Sequence, residues 1–332
     1  MSTSLTEQAR RSATAPADFS LQEQGLKRRM LLIVNPYAST VSDRLCHLVL
    51  CALQSRFEVD AVATEARGHA IKLCREAAHE GYDLVVAFGG DGTVNEAANG
   101  LLGSSTPLCC LPGGSANVFG KMLGLPGDLV DATEHLLALA DADWSPRRIN
   151  LGVVNGRCFT FASGLGLDAS VVKRVDANPR RKARLGPYYF MWVALKTCVG
   201  RYLAKPPRLE VDAQGRTLKG VTAILQNGSP FTYFQDRPIE LAEGATLDSD
   251  ALAGAVLHRA TPLGMSSIGV RAFSRHARVV GHRQVTGLSE LTELTVRTAD
   301  DRPLPLQVDG DYLGEVAEAC YSVLPNALNV VA

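Results

Sequence analysis

The sequence predicts an α/β domain with a parallel sheet, then a mainly antiparallel β-sandwich domain, with an active site in the cleft between them. Three observations carry this. Strand-like apolar runs alternate with helix-spaced segments from residue 28 to about 143. Residues 83–102 pass from strand to helix through a glycine-rich turn. After Asn150 the texture changes to short strands and turns.

Residues 30–34 make a first strand that ends at Asn35-Pro36. That turn leaves Asn35 at the carboxyl end of the strand, the edge where open α/β sheets bind ligands. Residues 42–55 follow as helix, 57–64 as strand, and 68–80 as a helix with apolar Ala70, Ile71, Leu73, Cys74, Ala77 and Ala78. Residues 84–88 are apolar throughout, as a buried parallel strand requires. Val94, Ala97, Ala98, Leu101 and Leu102 then recur at helical spacing. In the second half, strands are expected over 149–154, 157–162, 208–211, 219–226, 255–258, 291–298 and 305–308, with one helical insertion near 187–203.

With 332 residues, 46% of them hydrophobic and 20% charged, the chain has the composition of a soluble globular protein with two cores. Lys plus Arg equals Asp plus Glu at 34 each, so bulk charge points to no nucleic-acid partner, and any anion-binding surface must be a local patch. The eight cysteines form no Cys-x-x-Cys pair and read as reduced core thiols of a cytosolic protein. The seven histidines form no metal motif. The first residues are rich in Ser, Thr, Ala and Gln and lack a signal-peptide core, so they read as a disordered leader. No apolar stretch reaches the ~20 residues of a spanning helix.

The turn built on Gly89, Gly90 and Gly92 reads as a polyphosphate cradle. Glycine there permits positive φ and close approach to the main chain, and the free amides opening the helix attract an anion. Asp91 beside a phosphate implies a Mg²⁺ between them. Thr93, Asn95 and Glu96 add polar groups beyond what a structural turn needs, although any parallel α/β sheet places glycine at such a joint. A second glycine turn follows at Gly113 and Gly114, where Ser115 either caps a helix over 116–123 or offers its hydroxyl to a phosphate.

Asn35-Pro36, Thr64, the GGDGTVNE block at 89–96 and the PGGSAN block at 112–117 together resemble the diacylglycerol kinase catalytic domain family, which includes bacterial lipid kinases and sphingosine kinases. GLGLD at 164–168, QNG at 226–228 and VDGD at 308–311 continue the resemblance over nearly all of 28–332. It implies that Asn35, Thr64, Gly89, Gly90, Asp91, Gly92, Thr93, Asn95, Glu96 and Ser115 hold ATP, with Mg²⁺ near Asp91. It also implies that Asp311 is the catalytic base, where many members carry glutamate. Asp248 and Asp250 stand where the family often shows an Asp-Asp-Gly turn associated with Mg²⁺; the glycine is missing, and Asp248 is the metal candidate against an ordinary acidic surface turn. Asp309-Gly310 is also a hairpin signal, which would leave Asp311 leading a strand on a solvent face.

Lys173, Arg174, Arg180, Arg181, Lys182 and Arg184 precede Tyr188, Tyr189, Phe190, Met191 and Trp192. Cations with interfacial aromatics suit a membrane surface, and equally a basic loop before a core helix. The expected organisation is a leader over 1–27, a nucleotide-binding domain over 28–148, a lipid-substrate domain over 149–322, and a segment over 323–332 returning to the first. The expected function is an ATP-dependent lipid kinase, cytoplasmic, with peripheral association at the inner membrane face. The alternatives are a soluble kinase of the NAD-kinase type and a noncatalytic lipid or nucleotide binder. A homodimer is left open.

Overall fold

The computed structural model describes residues 27–142, 144–202, 206–234, 237–274, 276–300 and 302–332. The expected leader lies, up to residue 26, outside them. Four parallel strands, β1 (Arg29–Val34), β2 (Glu58–Ala63), β3 (Leu84–Gly89) and β4 (Leu108–Pro112), line up in the order β2-β1-β3-β4. The helices α1 (Asp43–Gln54), α2 (His69–Glu80), α3 (Asp91–Gly100), α4 (Val118–Met122) and α5 (Leu129–Asp141) accompany them. All six residues of β3 are buried, as its unbroken apolar run requires. Ser42 caps α1 by accepting the Leu45 N–H.

The rest of the chain builds β5 (Arg147–Val154), β6 (Arg157–Phe159), β7 (Ala162–Gly166), α6 (Leu167–Asp176), α7 (Pro179–Thr197), β8 (Leu209–Ala213), β9 (Arg216–Gly220), β10 (Thr222–Gln226), β11 (Thr232–Phe234) and β12 (Arg237–Ile239). It ends with β13 (Leu252–Leu257), α8 (Pro262–Ala272), β14 (Val285–Leu291), β15 (Glu293–Thr298), β16 (Leu304–Val308), β17 (Asp311–Val316) and β18 (Glu318–Val330). A six-stranded antiparallel sheet runs β14-β13-β10-β7-β16-β17. Its Leu165, Leu225 and Leu306 pack against Val211, Val296, Tyr321 and Phe159 of the other sheet, which makes the two a sandwich.

That other sheet does not stop at the parallel strands. β18 pairs with β5 and β15 antiparallel, and its end meets β4 in parallel at Val330 opposite Leu108. One hydrogen-bonded sheet therefore carries the parallel layer and one leaf of the sandwich, which fixes the two halves against each other across the cleft.

Several elements depart from the sequence expectation. The helix expected at 187–203 starts at Pro179 and passes at Thr197 into a π turn over Cys198–Tyr202. Proline is tolerated at the first helical position, where its missing N–H has no role. Two further helices, α6 and α8, were not expected. The strand expected at 219–226 is broken at Val221, whose amide turns to Leu257. Of the cysteines, Cys74, Cys109, Cys110, Cys158 and Cys198 are buried thiols, whereas Cys51 and Cys320 are exposed.

Candidate active site

In the order β2-β1-β3-β4, the connections from β1 and from β3 leave in opposite directions, so a crevice opens at the carboxyl ends of β1 and β3. Asn35 sits there. Its backbone N–H donates to Phe88 O at 3.0 Å, and its Nδ2 donates to Thr93 Oγ1 at 2.9 Å. Thr64 stands on the same edge, half-buried one strand farther out, with its N–H bound to Val34 O at 2.8 Å.

The glycines serve closeness rather than unusual backbone angles. None of Gly89, Gly90, Gly92, Gly113 and Gly114 has positive φ, which corrects that part of the expectation. A Cβ on Gly113 would stand 2.8 Å from Gly89 Cα, and one on Gly114 would stand 2.7 Å from Gly90 Cα. The two turns are pressed backbone to backbone. The amides of Asp91 and Gly92 open α3, where helix geometry supplies no carbonyl partner inside the helix, so they present donors to the crevice.

Asn117, in the left-handed region at φ 47°, closes the second turn: its Oδ1 accepts the Gly114 N–H and its Nδ2 donates to Gly114 O. It therefore occupies the capping position that Ser115 was a candidate for. α4 shrinks to five residues, and Ser115 is an exposed hydroxyl on the turn.

Asp91 accepts the Phe119 N–H at 3.1 Å and is held by the Val118 amide as well, which ties the first turn to α4. Burial pushes its carboxyl up to about 6, against the pull of those two amides, and Asp309 and Asp311 add to the rise. Thr93 is buried under the turn. Two of the residues placed at the nucleotide turn out to be joints of the fold. Asn95 is buried, with Nδ2 on Cys158 O and Asp309 Oδ2 and with Oδ1 taken by Arg157 Nη2. Glu96 accepts the Gly68 and Ala70 N–H groups, supplying α2 with the N-terminal acceptors that Gly68 lacks.

Asp311 arrives from the far end of the chain. Asp309 and Gly310 have φ of 47° and 80°, the double positive of a tight hairpin turn, and Val308 pairs with Asp311. The hairpin reading is thus correct for the backbone, yet Asp311 does not face open solvent: its carboxylate lies against Gly92, on the spot a Cβ there would fill. Asp309, read from the sequence only as part of the turn, is a further site residue. Its buried carboxylate accepts from Asn95 Nδ2, the Thr160 amide and hydroxyl, and the Phe161 and Ala162 amides. Burial raises its pKa against those donors. A second brace runs from Asp168, which accepts Gln307 Nε2 at 2.6 Å while Gln307 Oε1 accepts the Gly310 N–H at 2.9 Å. The VDGD and GLGLD spacings were the only sequence signals for these residues.

Asp248 stands apart from this cluster, exposed and paired with Arg147 at 3.4 Å, and Asp250 accepts Asn150 Nδ2 at 2.9 Å. Among the described residues no group of three or more His, Cys, Asp or Glu gathers as a metal cage. No described helix is long and apolar enough to cross a membrane.

Paired glycine turns at a parallel-sheet switch point are faced by a carboxylate from the antiparallel half. Residues 29–144 match the diacylglycerol kinase catalytic domain. The chain is similar to a diacylglycerol kinase of Bacillus subtilis (strain 168), 29% identical over 201 residues, spanning 58% of this chain and 62% of that protein. A diacylglycerol kinase of Staphylococcus aureus (strain bovine RF122 / ET3-1) is 24% identical, with 88% of each chain covered. A solved structure from Bacillus anthracis str. Sterne, provisionally assigned as a diacylglycerol kinase, superposes with a TM-score of 0.70 at 23% identity, covering 94% of this chain and 98% of that one; this likeness shows the fold.

Proposed function

We propose that the chain is an ATP-dependent lipid kinase that transfers the γ-phosphoryl group to the primary hydroxyl of a lipid alcohol, such as diacylglycerol or a sphingoid base. The observation that carries this is the contact of Asp311 with Gly92: a carboxylate stands beside amides suited to a triphosphate. The relatives named diacylglycerol kinase support it. Residues 28–148 hold the nucleotide, 149–322 receive the lipid, and 323–332 return to the first sheet.

In this reading the two glycine turns and Thr93, Asn35 and Ser115 bind and orient the triphosphate, with Thr64 bordering the crevice. Asp311 accepts the proton of the lipid hydroxyl as its oxygen attacks the γ-phosphorus, and the bond to the ADP oxygen breaks. Aspartate is a methylene shorter than the glutamate that many relatives carry there. The absence of a Cβ at Gly92 lets the shorter side chain close that distance. Asp91, at the start of α3 beside the turn, would hold a Mg²⁺ brought by the nucleotide, since such ions need only one or two protein carboxylates. When bound, that ion would neutralise phosphate charge.

The lipid brings the enzyme to a membrane surface. Leu185, Tyr188, Met191, Trp192 and Leu195 are exposed along α7, and the Tyr188 ring continues edge-on to Phe234 and then Phe273 at the end of α8. Lys173, Arg174, Arg181 and Lys196 are exposed near them, an arrangement suited to anionic headgroups. The side chains of Arg180, Lys182 and Arg184 lie outside the described residues.

Incubation with labelled ATP and Mg²⁺, against a panel of diacylglycerol and sphingoid bases in anionic vesicles plus free NAD⁺, tests the proposal. A labelled lipid whose yield falls with salt supports it. Label in NADP⁺ alone, or in no product, contradicts it.

A further inference from the structure

Arg67 lies on the loop between β2 and α2, outside every motif used above, and reaches across the cleft. Its Nη1 donates to Tyr312 O at 3.3 Å, and its Nη2 stands 3.7 Å from Asp176 and 3.9 Å from Asp311. The loop is built to hold it there. Glu96 of α3 grips the Gly68 and Ala70 amides on one side of the loop, and His69 Nδ1 accepts the Glu65 N–H on the other. The same helix, through Asn95 and Asp309, sets the hairpin that carries Asp311. One helix thus positions both the cation and its carboxylate partner.

From this we infer that Arg67 is a positioning residue that neutralises the acidic wall of the cleft so that a triphosphate can approach Asp311. The inference rests on the lipid-kinase reading. Stability does not explain the ion pair. The Arg67 side chain is 68% exposed and that of Asp311 36% exposed, and pairs in such surroundings contribute little to folding. A bound triphosphate does need it. Asp311 lies against Gly92, and the charges of Asp309 and Asp311 both reach Asp91. Asp176 adds its charge on the other side of Arg67, and like charges beside the place where the triphosphate would lie oppose binding. Lys173, on α6 beside Tyr312, is paired with Glu315 at 3.0 Å.

The test is ATP·Mg²⁺ affinity by equilibrium dialysis of the full chain and of Arg67→Lys, Arg67→Gln and Arg67→Gln/Asp176→Asn, with thermal melting alongside. Arg67→Gln is expected to weaken ATP binding by about 10- to 100-fold without lowering the melting temperature, and Arg67→Lys to keep most of the affinity. The double variant restores the net charge of the wall and is expected to recover most of the loss, which a purely mechanical tether would not do. Unchanged affinity in Arg67→Gln, or a double variant no tighter than Arg67→Gln, overturns the inference while leaving the kinase reading intact. A parent protein that binds no ATP overturns both.

Discussion

The carboxylate of Asp311 lies so close over Gly92 that any side chain at residue 92 would drive its Cβ into it. Two residues more than two hundred positions apart in sequence thus share one packing requirement. Gly92 leaves room for its neighbour across the cleft, apart from any role toward a ligand.

Gly92→Ala separates geometry from folding. The obstructing group is the movable end of a side chain, so Asp311 can rotate away, and the stability loss is expected to stay within about 1 kcal/mol. The displaced carboxylate then misses the acceptor hydroxyl by about 1 Å, and turnover is expected to fall roughly 100-fold. Parallel urea melts and initial rates check this; an active Gly92→Ala enzyme would show that the contact is incidental.

Asp309→Asn probes the buried joint. The carboxylate accepts from five donors. An amide can accept from only some of them and sets its own N–H groups against the rest. A loss of about 3 kcal/mol in urea unfolding is expected, together with a fall in turnover as the hairpin loses its anchor to α3.

Asp168 makes stability depend on pH. Its carboxyl is pushed up to about 6, mainly by burial, with the Gln307 amide opposing the rise. A raised folded-state value means that the folded chain binds this proton more tightly than the unfolded chain. Asp168 therefore favours the folded state below its ordinary unfolded value, and that advantage is lost as pH rises through about 6. Asp168→Asn is expected to flatten the decline between pH 4 and 6 by up to about 2–3 kcal/mol. Denaturant midpoints measured across that window check it; identical profiles for both proteins would mean that the group titrates normally.

The parallel layer was legible because its signals are local. A strand buried on both faces is apolar throughout, as at 84–88, and the helix after it repeats its apolar residues within a few turns. Local spacing could not show why the glycines are needed, since the close approach of Gly113 to Gly89, of Gly114 to Gly90 and of Asp311 to Gly92 is a tertiary fact. Nor could it assign Asn95 or Asp309: they meet across 214 positions, and each looks like a polar residue in a turn or a first helical turn. α6 carried a usable signal in Leu167, Val171, Val172 and Val175, which are buried at helical spacing immediately after a strand. β18 hid its role because alternation holds only in its first residues; its last four are all buried, ending between β4 and β5.

The role given to Asp311 is tested most directly by measuring ATP affinity and lipid phosphorylation for Asp311→Asn beside the parent. As the base, Asp311 predicts that turnover drops by about 10²–10⁴-fold while ATP binds at least as tightly as before, since one charge of the acidic wall is removed. Turnover equal to the parent's would contradict that role, and with it the claim that the carboxylate on Gly92 receives the proton.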